Sequence, residues 1–256
     1  MKSLAIVGGA GRMGQTLAEG LGALERFNIV ALVDVVKPRE LFGAVYAQTL
    51  DGVDATTVDV VVDFSAPESV VVSALWCAGN GVALVIGATG LSPEQTEIVV
   101  EAATKVGVVM AANFSIGAVL SEKFAALAAP YFESVEIIEL HHDRKVDAPS
   151  GTSLAAARAI QSARTAATMA PIVDPTVRHT VAGARGAETT GGIKVHSIRL
   201  PGLVAHQQIL FGGPGEGLTI HHDSFDRVSF VQGVAVAADA IDASPRFIDG
   251  LGPLIN

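Results

Sequence analysis

The densest run of reactive side chains in the sequence lies within residues 139–152. His141 and His142 end an apolar stretch that predicts a strand, and Lys145 follows three residues later. Because the unperturbed pKa of histidine is about 6.5, either ring could exchange a proton near neutral pH. Ser150-Gly151-Thr152 opens a predicted helix, whose first backbone N–H groups bind carboxylates well. The pattern predicts a local cationic pocket for a small dicarboxylate, with one histidine available as an acid.

Other interpretations of the same residues stay open. Ser150 or Thr152 could serve as an ordinary helix cap. Adjacent side chains on a strand point to opposite faces, so one of the two histidines could be a packed core residue. A metal site is disfavoured, because neighbouring histidines on a strand do not easily bind one ion and no third ligand stands at a telling spacing. A second pair, His221-His222, has less supporting context, and we interpret it as structural.

A glycine-rich turn near the N-terminus predicts a dinucleotide site. Residues 9–14, Gly-Ala-Gly-Arg-Met-Gly, fit the pattern G-x-G-x-x-G. The three glycines allow a tight turn, a close approach of backbone to the pyrophosphate, and close packing of helix on strand. The pattern alone also describes a glycine turn without a ligand. Its context favours the dinucleotide, since a predicted strand precedes it and Asp34 stands 20 positions beyond Gly14, the spacing of a ribose-binding carboxylate.

Asp34 favours NADH, because its carboxylate can accept hydrogen bonds from the ribose hydroxyls and would repel a 2′-phosphate. Arg12, Lys37 and Arg39 are close in sequence and could offset that repulsion, so NADPH stays open. Ligands of open parallel sheets bind beyond the carboxyl ends of the strands. The loops at 87–90 and 111–114, which follow two later predicted strands, are therefore expected at the same cofactor edge.

The elements that must position these residues alternate between strands and helices over the first 114 residues. Short apolar runs bounded by turn residues predict buried parallel strands. This rhythm predicts a Rossmann-type parallel sheet with helices on its faces. The predicted strands are 4–7, 29–33, 58–64, 82–86 and 106–111, and the predicted helices are 13–24, 67–78 and 93–105.

The pattern beyond residue 114 predicts a mixed α/β domain. A helix at 118–129, a strand at 135–141 and a helix at 152–163 precede three strands at 193–200, 204–211 and 218–222, for which short turns favour antiparallel pairing. A last apolar helix, 231–243, could return to the first domain. We therefore predict an α/β protein with a dinucleotide-binding domain of residues 1–114 and 225–256 and a second domain of residues 115–224.

The composition narrows the functional class. Half of the residues are hydrophobic and 17% are charged, which supports substantial cores. The formal net charge of -9 argues against a general nucleic-acid binder. The single cysteine, Cys77, lies in an apolar stretch and is expected to be a small core residue. With neither a signal-peptide pattern nor an uncharged apolar segment of about 18 residues, we expect a soluble cytoplasmic protein without membrane contact.

With these motifs assembled, the chain resembles the 4-hydroxy-tetrahydrodipicolinate reductase family, formerly called dihydrodipicolinate reductase, over nearly its whole length. The most specific motif is ELHHDRKVDAPSGT at 139–152, and LVAHQQILFG at 203–212 is most similar to actinobacterial members. The other motifs are GGAGRMG at 8–14, DFSAPE at 63–68, GATG at 87–90, ANFSIG at 112–117 and RGAETTGGIKVHSIRLPG at 185–202.

The resemblance implies NAD(P)H-dependent reduction of 4-hydroxy-tetrahydrodipicolinate to tetrahydrodipicolinate, with release of water, in lysine and diaminopimelate biosynthesis. It implies a substrate-binding and tetramerisation domain beside the Rossmann domain, and a homotetramer. His141 would be the catalytic proton donor or acceptor and Lys145 the catalytic lysine. The implied substrate-binding residues are His142, Ser150, Gly151 and Thr152. The implied cofactor contacts are Gly8, Gly9, Ala10, Gly11, Arg12, Met13, Asp34, Gly87, Ala88, Thr89, Ala111, Ala112, Asn113 and Phe114.

Two departures from the family pattern bear on the cofactor. Ala88 stands where the family often has threonine, which removes one hydroxyl, and Val35 stands where some members carry an arginine for the NADPH phosphate. The second departure strengthens the expectation of NADH. Two other functions stay open: a different Rossmann amino-acid dehydrogenase, acting on aspartate or diaminopimelate, and a non-catalytic NAD(H)-binding regulator. Neither requires a proton donor beside a carboxylate pocket.

Overall fold

The structure, a computed structural model, describes residues 1–255. The chain divides into two compact units: unit 1 is Met1–Ile116 with the C-terminal segment from Arg227, and unit 2 is Gly117–Asp226. The strands are β1 (Lys2–Val7), β2 (Phe27–Val33), β3 (Val45–Ala47), β4 (Val60–Asp63), β5 (Ala83–Ile86), β6 (Gly107–Met110), β7 (Ser134–His141), β8 (Ala187–Glu188), β9 (Lys194–Arg199), β10 (Ala205–Gly213), β11 (Glu216–Ser224) and β12 (Arg246–Asp249). The α-helices are α1 (Arg12–Gly22), α2 (Pro67–Asn80), α3 (Pro93–Ala102), α4 (Ile116–Ala128), α5 (Gly151–Ala166) and α6 (Val231–Ala240).

Unit 1 is built on a parallel sheet with the strand order β12-β6-β5-β4-β1-β2-β3. All four residues of β5 are fully buried, as are Leu4, Ala5 and Ile6 of β1. A strand covered on both faces must be apolar at every position, which is why these strands read as continuous apolar runs. The predicted Rossmann-type sheet is confirmed.

The two edge strands of unit 1, β3 and β12, were missed by the sequence prediction. Each has a neighbour on one side only, and β12 is mostly exposed. β3 has only three residues, of which one is buried, and β12 has none buried, so neither strand carries a continuous apolar signal.

The helices of unit 1 begin where the local sequence favours a start. Pro67 and Pro93 occupy first-turn positions of α2 and α3, where a missing N–H is harmless. Ser92 caps α3 in a reciprocal capping box with Gln95. The last helix, α6, packs on α1 within unit 1: a Cβ added to Gly20 would lie 2.6 Å from a methyl of Val231.

Unit 2 holds a mixed sheet with the order β11-β10-β7-β9-β8. The expected antiparallel hairpin of β10 and β11 is present, but β9 and β10 do not pair as expected, because β7 lies between them and runs parallel to β9. The side chains that β7 points to one face, Val135, Ile137 and Glu139, are all buried. A central place gives such a strand hydrogen-bonded neighbours on both sides, and the short turn after β9 does not reveal this insertion.

One face of the unit 2 sheet is covered by α4 and α5. Small residues, Ala125, Ala156 and Ala157, allow these helices to approach Ile137 and Ile209 of the sheet closely. Within residues 1–255 no helix combines the length and the apolar character that crossing a membrane requires.

Candidate active site

The parallel registers of unit 1 bring the predicted cofactor loops to one edge of the sheet. Val7 of β1 pairs with Val33 and Asp63, the last residues of β2 and β4. Asp63 pairs in turn with Ile86 of β5, and Ile86 pairs with Met110 of β6. The loops that begin at residues 8, 34, 87 and 111 therefore leave the sheet at the same edge, which is where nucleotides bind in such folds.

The glycine turn has a geometry that only glycines permit. Gly8 has a φ of +81°, and the Gly11 N–H donates to the Gly8 carbonyl at 3.0 Å. A Cβ on Gly14 would lie 2.2 Å from the same carbonyl oxygen. Helix α1 starts at Arg12, and the cap residue Gly11 offers no side-chain hydrogen bond. The first N–H groups of α1 are thus left for an anion such as a pyrophosphate, so the residues present fit a dinucleotide.

Asp34 links this turn to the end of β2. One carboxylate oxygen accepts from the Ala10 N–H at 2.9 Å and the other from the Val36 N–H at 3.2 Å. Asp34, Gly8 and Gly11 line a cleft of about 580 Å³, a volume within the range of ordinary ligand pockets.

The remaining walls of this cleft were not assigned by sequence reasoning. They come from residues 48–50, 64–66 and α2, namely Gln48, Thr49, Leu50, Phe64, Ser65, Ala66, Ser69, Val72 and Ser73, together with Val7, Val33 and Val35. The DFSAPE motif at 63–68 was the available signal for part of this wall. Within it, the fully buried Asp63 accepts from Ser65 and Ser73 and so shapes the wall. Burial raises the pKa of Asp63, against the lowering effect of those hydrogen bonds.

The ring of Phe64 contacts both the loop at 87–89 and the loop at 111–114. The Phe64 ring lies over Gly87, where a Cβ would come within 2.1 Å of a ring carbon. The same ring contacts Phe114 with centroids 5.4 Å apart. The Phe114 side chain is fully buried, and Ala111 is also buried. The side chains of Phe114 and Ala111 therefore belong to the core, and only the backbone at these two positions is available to a cofactor. Thr89 and Ala112, in contrast, are exposed.

In unit 2, the predicted acid His141 sits at the end of β7 above a buried carboxylate. Its Nδ1 contacts the Glu139 carboxylate, two residues earlier on the same face of the strand. Burial lowers the pKa of His141; Glu139 acts in the opposite direction, and the charges of Lys145 and Arg199 add to the lowering.

Arg199 of β9 forms a two-pronged ion pair with Glu139. Its Nη1 and Nη2 each donate at 2.8 Å to a different carboxylate oxygen. Arg199 lies opposite His141 in the parallel register of β9 and β7, so the sheet itself sets this contact. The sequence alone assigns no role to Glu139 or Arg199, since 60 residues separate them and no local spacing joins them.

The N-terminus of α5, predicted as an anion-binding helix start, also contacts the Glu139 carboxylate. The Ser150 N–H donates to Glu139 at 3.2 Å. The Ser150 hydroxyl accepts from the Ser153 N–H and caps α5. The capping interpretation therefore describes the hydroxyl of Ser150. Gly151 is exposed and Thr152 is half-buried at the start of the helix.

Lys145 and His142 lie beside this group. The Lys145 ammonium donates to both carboxylate oxygens of Asp147 at 2.8 Å. The Nδ1 of His142 is buried and has no hydrogen-bond partner among residues 1–255. A ligand carboxylate would thus compete with Asp147 for Lys145.

The second histidine pair has partners within unit 2. His206 and His221 both contact Asp223, at 2.6 and 2.9 Å. The ring of His222 packs on Gly117 of α4, where a Cβ would lie 2.5 Å from it. No group of three or more metal-ligating side chains is suitably placed within residues 1–255.

Comparison with known families accounts for both units. The N-terminal model of dihydrodipicolinate reductase matches residues 2–114, and the C-terminal model of the same family matches residues 117–250. The chain belongs to the dihydrodipicolinate reductase family. It is 43% identical over 254 residues to the 4-hydroxy-tetrahydrodipicolinate reductase of Mycolicibacterium gilvum, with 98% of each chain covered. It is 42% identical over 234 residues to that of Corynebacterium diphtheriae, with 90% of this chain and 89% of the relative covered.

A solved member of the dihydrodipicolinate reductase family has the same architecture. The enzyme of Paenisporosarcina, solved with dipicolinate bound, matches with a TM-score of 0.88 and 39% identity, and the match covers 100% of both chains. An aspartate dehydrogenase of Thermotoga maritima matches with a TM-score of 0.51 at 16% identity over 94% of this chain and 96% of its own. That likeness shows a shared fold and no more.

Proposed function

We propose that the chain catalyses the reaction for which its curated relatives are named, the NAD(P)H-dependent reduction of 4-hydroxy-tetrahydrodipicolinate. The product is tetrahydrodipicolinate, and each turnover consumes one hydride and one proton and releases one water. One observation carries the proposal: His141 and the N-terminus of α5 meet on a single buried carboxylate, Glu139. A proton donor is thereby held beside a site that suits a substrate carboxylate.

The substrate dicarboxylate is assigned to unit 2. The backbone N–H groups at Gly151 and Thr152, at the start of α5, favour one carboxylate through the helix dipole. Lys145 provides a positive charge, and the buried Nδ1 of His142 is an unfilled hydrogen-bonding position. These groups supply local positive potential in a chain whose net charge is -9.

Proton delivery is assigned to His141, helped by Lys145. A general acid works best when its pKa lies near the working pH, and a histidine satisfies this condition. Because burial and the neighbouring cations lower the pKa of His141, its protonated form should be lost as the pH rises. Because only the protonated form can deliver the proton, kcat should decline toward alkaline pH.

The hydride donor is assigned to the cleft of unit 1. A bound nicotinamide dinucleotide supplies the hydride. The chain's contribution is to hold it: the turn at Gly8–Met13 receives the pyrophosphate, and Asp34 receives the adenosine ribose. The Asp34 carboxylate and the exposed Val35, which offers no charge to a 2′-phosphate, support a preference for NADH over NADPH.

A homotetramer assembled through unit 2 is part of the proposal. Large apolar side chains on α4 and nearby segments are exposed, with Phe124 at 52%, Leu127 at 72% and Tyr131 at 81%. Exposed apolar patches of this kind are typical of protein–protein interaction surfaces. Light scattering should give a mass about four times the 26.2 kDa of the chain, and Leu127→Glu should lower it. The cytoplasmic location stays a prediction.

A coupled assay tests the reaction. Pyruvate and aspartate semialdehyde are supplied with the synthase that makes the substrate, and NADH or NADPH oxidation is followed by absorbance. His141→Gln and Lys145→Ala should each lose most of kcat while NADH still binds, because neither residue belongs to unit 1. Near-normal turnover in both variants would contradict the assignment.

Assays on the same purified protein distinguish the reductase from the two other candidate functions. An aspartate or diaminopimelate dehydrogenase would oxidise its amino acid with NAD(P)⁺ and ignore the synthase product. A non-catalytic regulator would bind NADH without oxidising it in any assay.

A further inference from the structure

Glu139 is a fully buried carboxylate at the centre of the unit 2 site, and the reaction described above uses it only as the group on which His141 and α5 meet. It accepts from both terminal nitrogens of Arg199, from the Ser150 N–H and from Nδ1 of His141. A buried carboxylate is stable only when it is paired and hydrogen-bonded, and this one is both.

The protonation state of Glu139 follows from these contacts. Burial raises its pKa, but hydrogen bonds from Arg199, Ser197 and His141, with the charge of a protonated His141, outweigh burial and bring the pKa below its usual value. An ionised carboxylate accepts hydrogen bonds and donates none. The contact with His141 is therefore a hydrogen bond only when the proton resides on Nδ1.

We propose that Glu139, held in place by Arg199, is a positioning residue that keeps His141 in its Nδ1–H form and so makes Nε2 the atom that delivers the proton. Only the identity of the proton donor rests on the proposed function. Glu139 itself does not reach the substrate in this scheme, because its oxygens are fully engaged by protein donors.

The order of proton transfer follows. In the protonated ring both nitrogens carry hydrogen, with Nδ1–H donated to Glu139 and Nε2–H free for the substrate. After Nε2 transfers its proton, the ring is neutral in the tautomer that Glu139 already favours, so no rearrangement is needed. Three charged groups act on the ring: Glu139 on its own strand stabilises the protonated form, while Lys145 and Arg199 oppose it.

A set of three variants separates positioning from mere support of the fold. Glu139→Gln keeps the size but removes the charge, and it leaves the half-buried Arg199 without the carboxylate that accepts from both of its terminal nitrogens. The double variant Glu139→Gln, Arg199→Gln removes that stranded charge and should regain stability, since losing both partners costs less than losing one. Glu136→Gln is the matched control: Glu136 lies on the same strand and also contacts an arginine and a histidine, Arg185 and His196.

The expected result is a loss of kcat that does not follow stability. A positioned general acid contributes about 10²–10⁴-fold to a rate, so we expect the loss of its orientation to lower kcat by about 100-fold in both Glu139 variants. The KM for substrate should change by less than about threefold, because the glutamine oxygen can still accept from the Ser150 N–H at the start of α5. Glu136→Gln should keep wild-type kcat even if its melting temperature falls.

Two further measurements report on the histidine directly. In Glu139→Gln the loss of a negative charge beside His141 lowers the pKa of the ring, so the alkaline limb of the kcat profile should move to lower pH. The ¹⁵N spectrum of His141 in the wild-type protein should show a protonated Nδ1 in the neutral ring, and this signature should weaken in Glu139→Gln.

The outcomes distinguish a positioning role of Glu139 from a purely structural one. Wild-type kcat in the stable double variant would overturn the positioning role, since only fold support would then have been lost. An Nε2–H tautomer in the wild-type spectrum would overturn it as well. If the wild-type protein showed no reductase activity, the proposed function would fail, and the ¹⁵N spectrum would still decide whether Glu139 sets the tautomer.

Discussion

Replacing Gly14 by alanine tests whether the glycine turn is shaped for a dinucleotide. A Cβ there would lie 2.2 Å from the Gly8 oxygen, 2.8 Å from the Gly8 carbon and 2.9 Å from the Gly9 Cα. All three are backbone atoms, so no rotamer change can relieve the contact. The Gly8 oxygen must retreat by about 1 Å to reach an ordinary van der Waals distance, and overpacking of this kind costs about 1–3 kcal/mol.

Gly22, in the last turn of the same helix, provides the control. Its added Cβ would meet only a side-chain carbon of Ile29, at 3.5 Å, which is an ordinary contact. Alanine is favoured over glycine in a helix by about 0.5–1 kcal/mol. We therefore expect Gly22→Ala to stabilise the protein slightly. At Gly14 the same gain offsets only part of the strain and leaves a net loss of about 1 kcal/mol.

Cofactor affinity should respond more strongly than stability. The Gly8 carbonyl also accepts from the Gly11 N–H, so pushing it aside opens the turn that faces the pyrophosphate. We expect Gly14→Ala to weaken NADH binding at least 100-fold, or about 2.7 kcal/mol. Titration calorimetry with NADH and thermal unfolding measure the two effects. Gly14→Ala binding NADH within threefold of wild type would refute the reasoning.

Three further predictions concern charged groups. Asp147→Asn frees Lys145 from an exposed partner, so the KM for substrate in the coupled assay should fall by about twofold, in line with about 0.5 kcal/mol for a surface pair. Asp143→Asn is the control, and an unchanged KM would show that Asp147 does not compete. Asp34→Asn removes the charge that repels a 2′-phosphate, so the kcat/KM ratio of NADPH to NADH should rise by about tenfold or more; a ratio that stays fixed would place the selectivity elsewhere. Hydrogen bonds from Thr176, with smaller effects of the Arg185 charge, lower the pKa of Asp174 to about 2. Its stabilisation is therefore complete above its unfolded pKa and is lost as the pH falls toward 2, so Asp174→Asn should flatten the drop in melting temperature between about pH 4 and pH 2. An equally steep drop in this variant would contradict the assignment.

The local structural elements of this protein can be recognised from the amino-acid sequence alone. Short apolar runs bounded by turn residues identified the buried strands of unit 1, because a strand covered on both faces is apolar along nearly its whole length. The glycine turn with Asp34 and the capped start of α5 at Ser150 were also legible, since each depends on residues within one short segment or one strand-helix-strand unit.

The grouping of distant residues into one site depends on the order of the strands in the folded sheets. Strand β7 separates β9 from β10, and this arrangement places Arg199 opposite His141 across 58 residues of sequence. The cleft wall at Thr49 and Ser65 likewise arises from strand order rather than from spacing. Sequence periodicity reports which face of an element is buried, but it carries no information on which strand lies beside it. The Glu139–Arg199 pair beneath His141 was therefore visible only once the sheet was assembled.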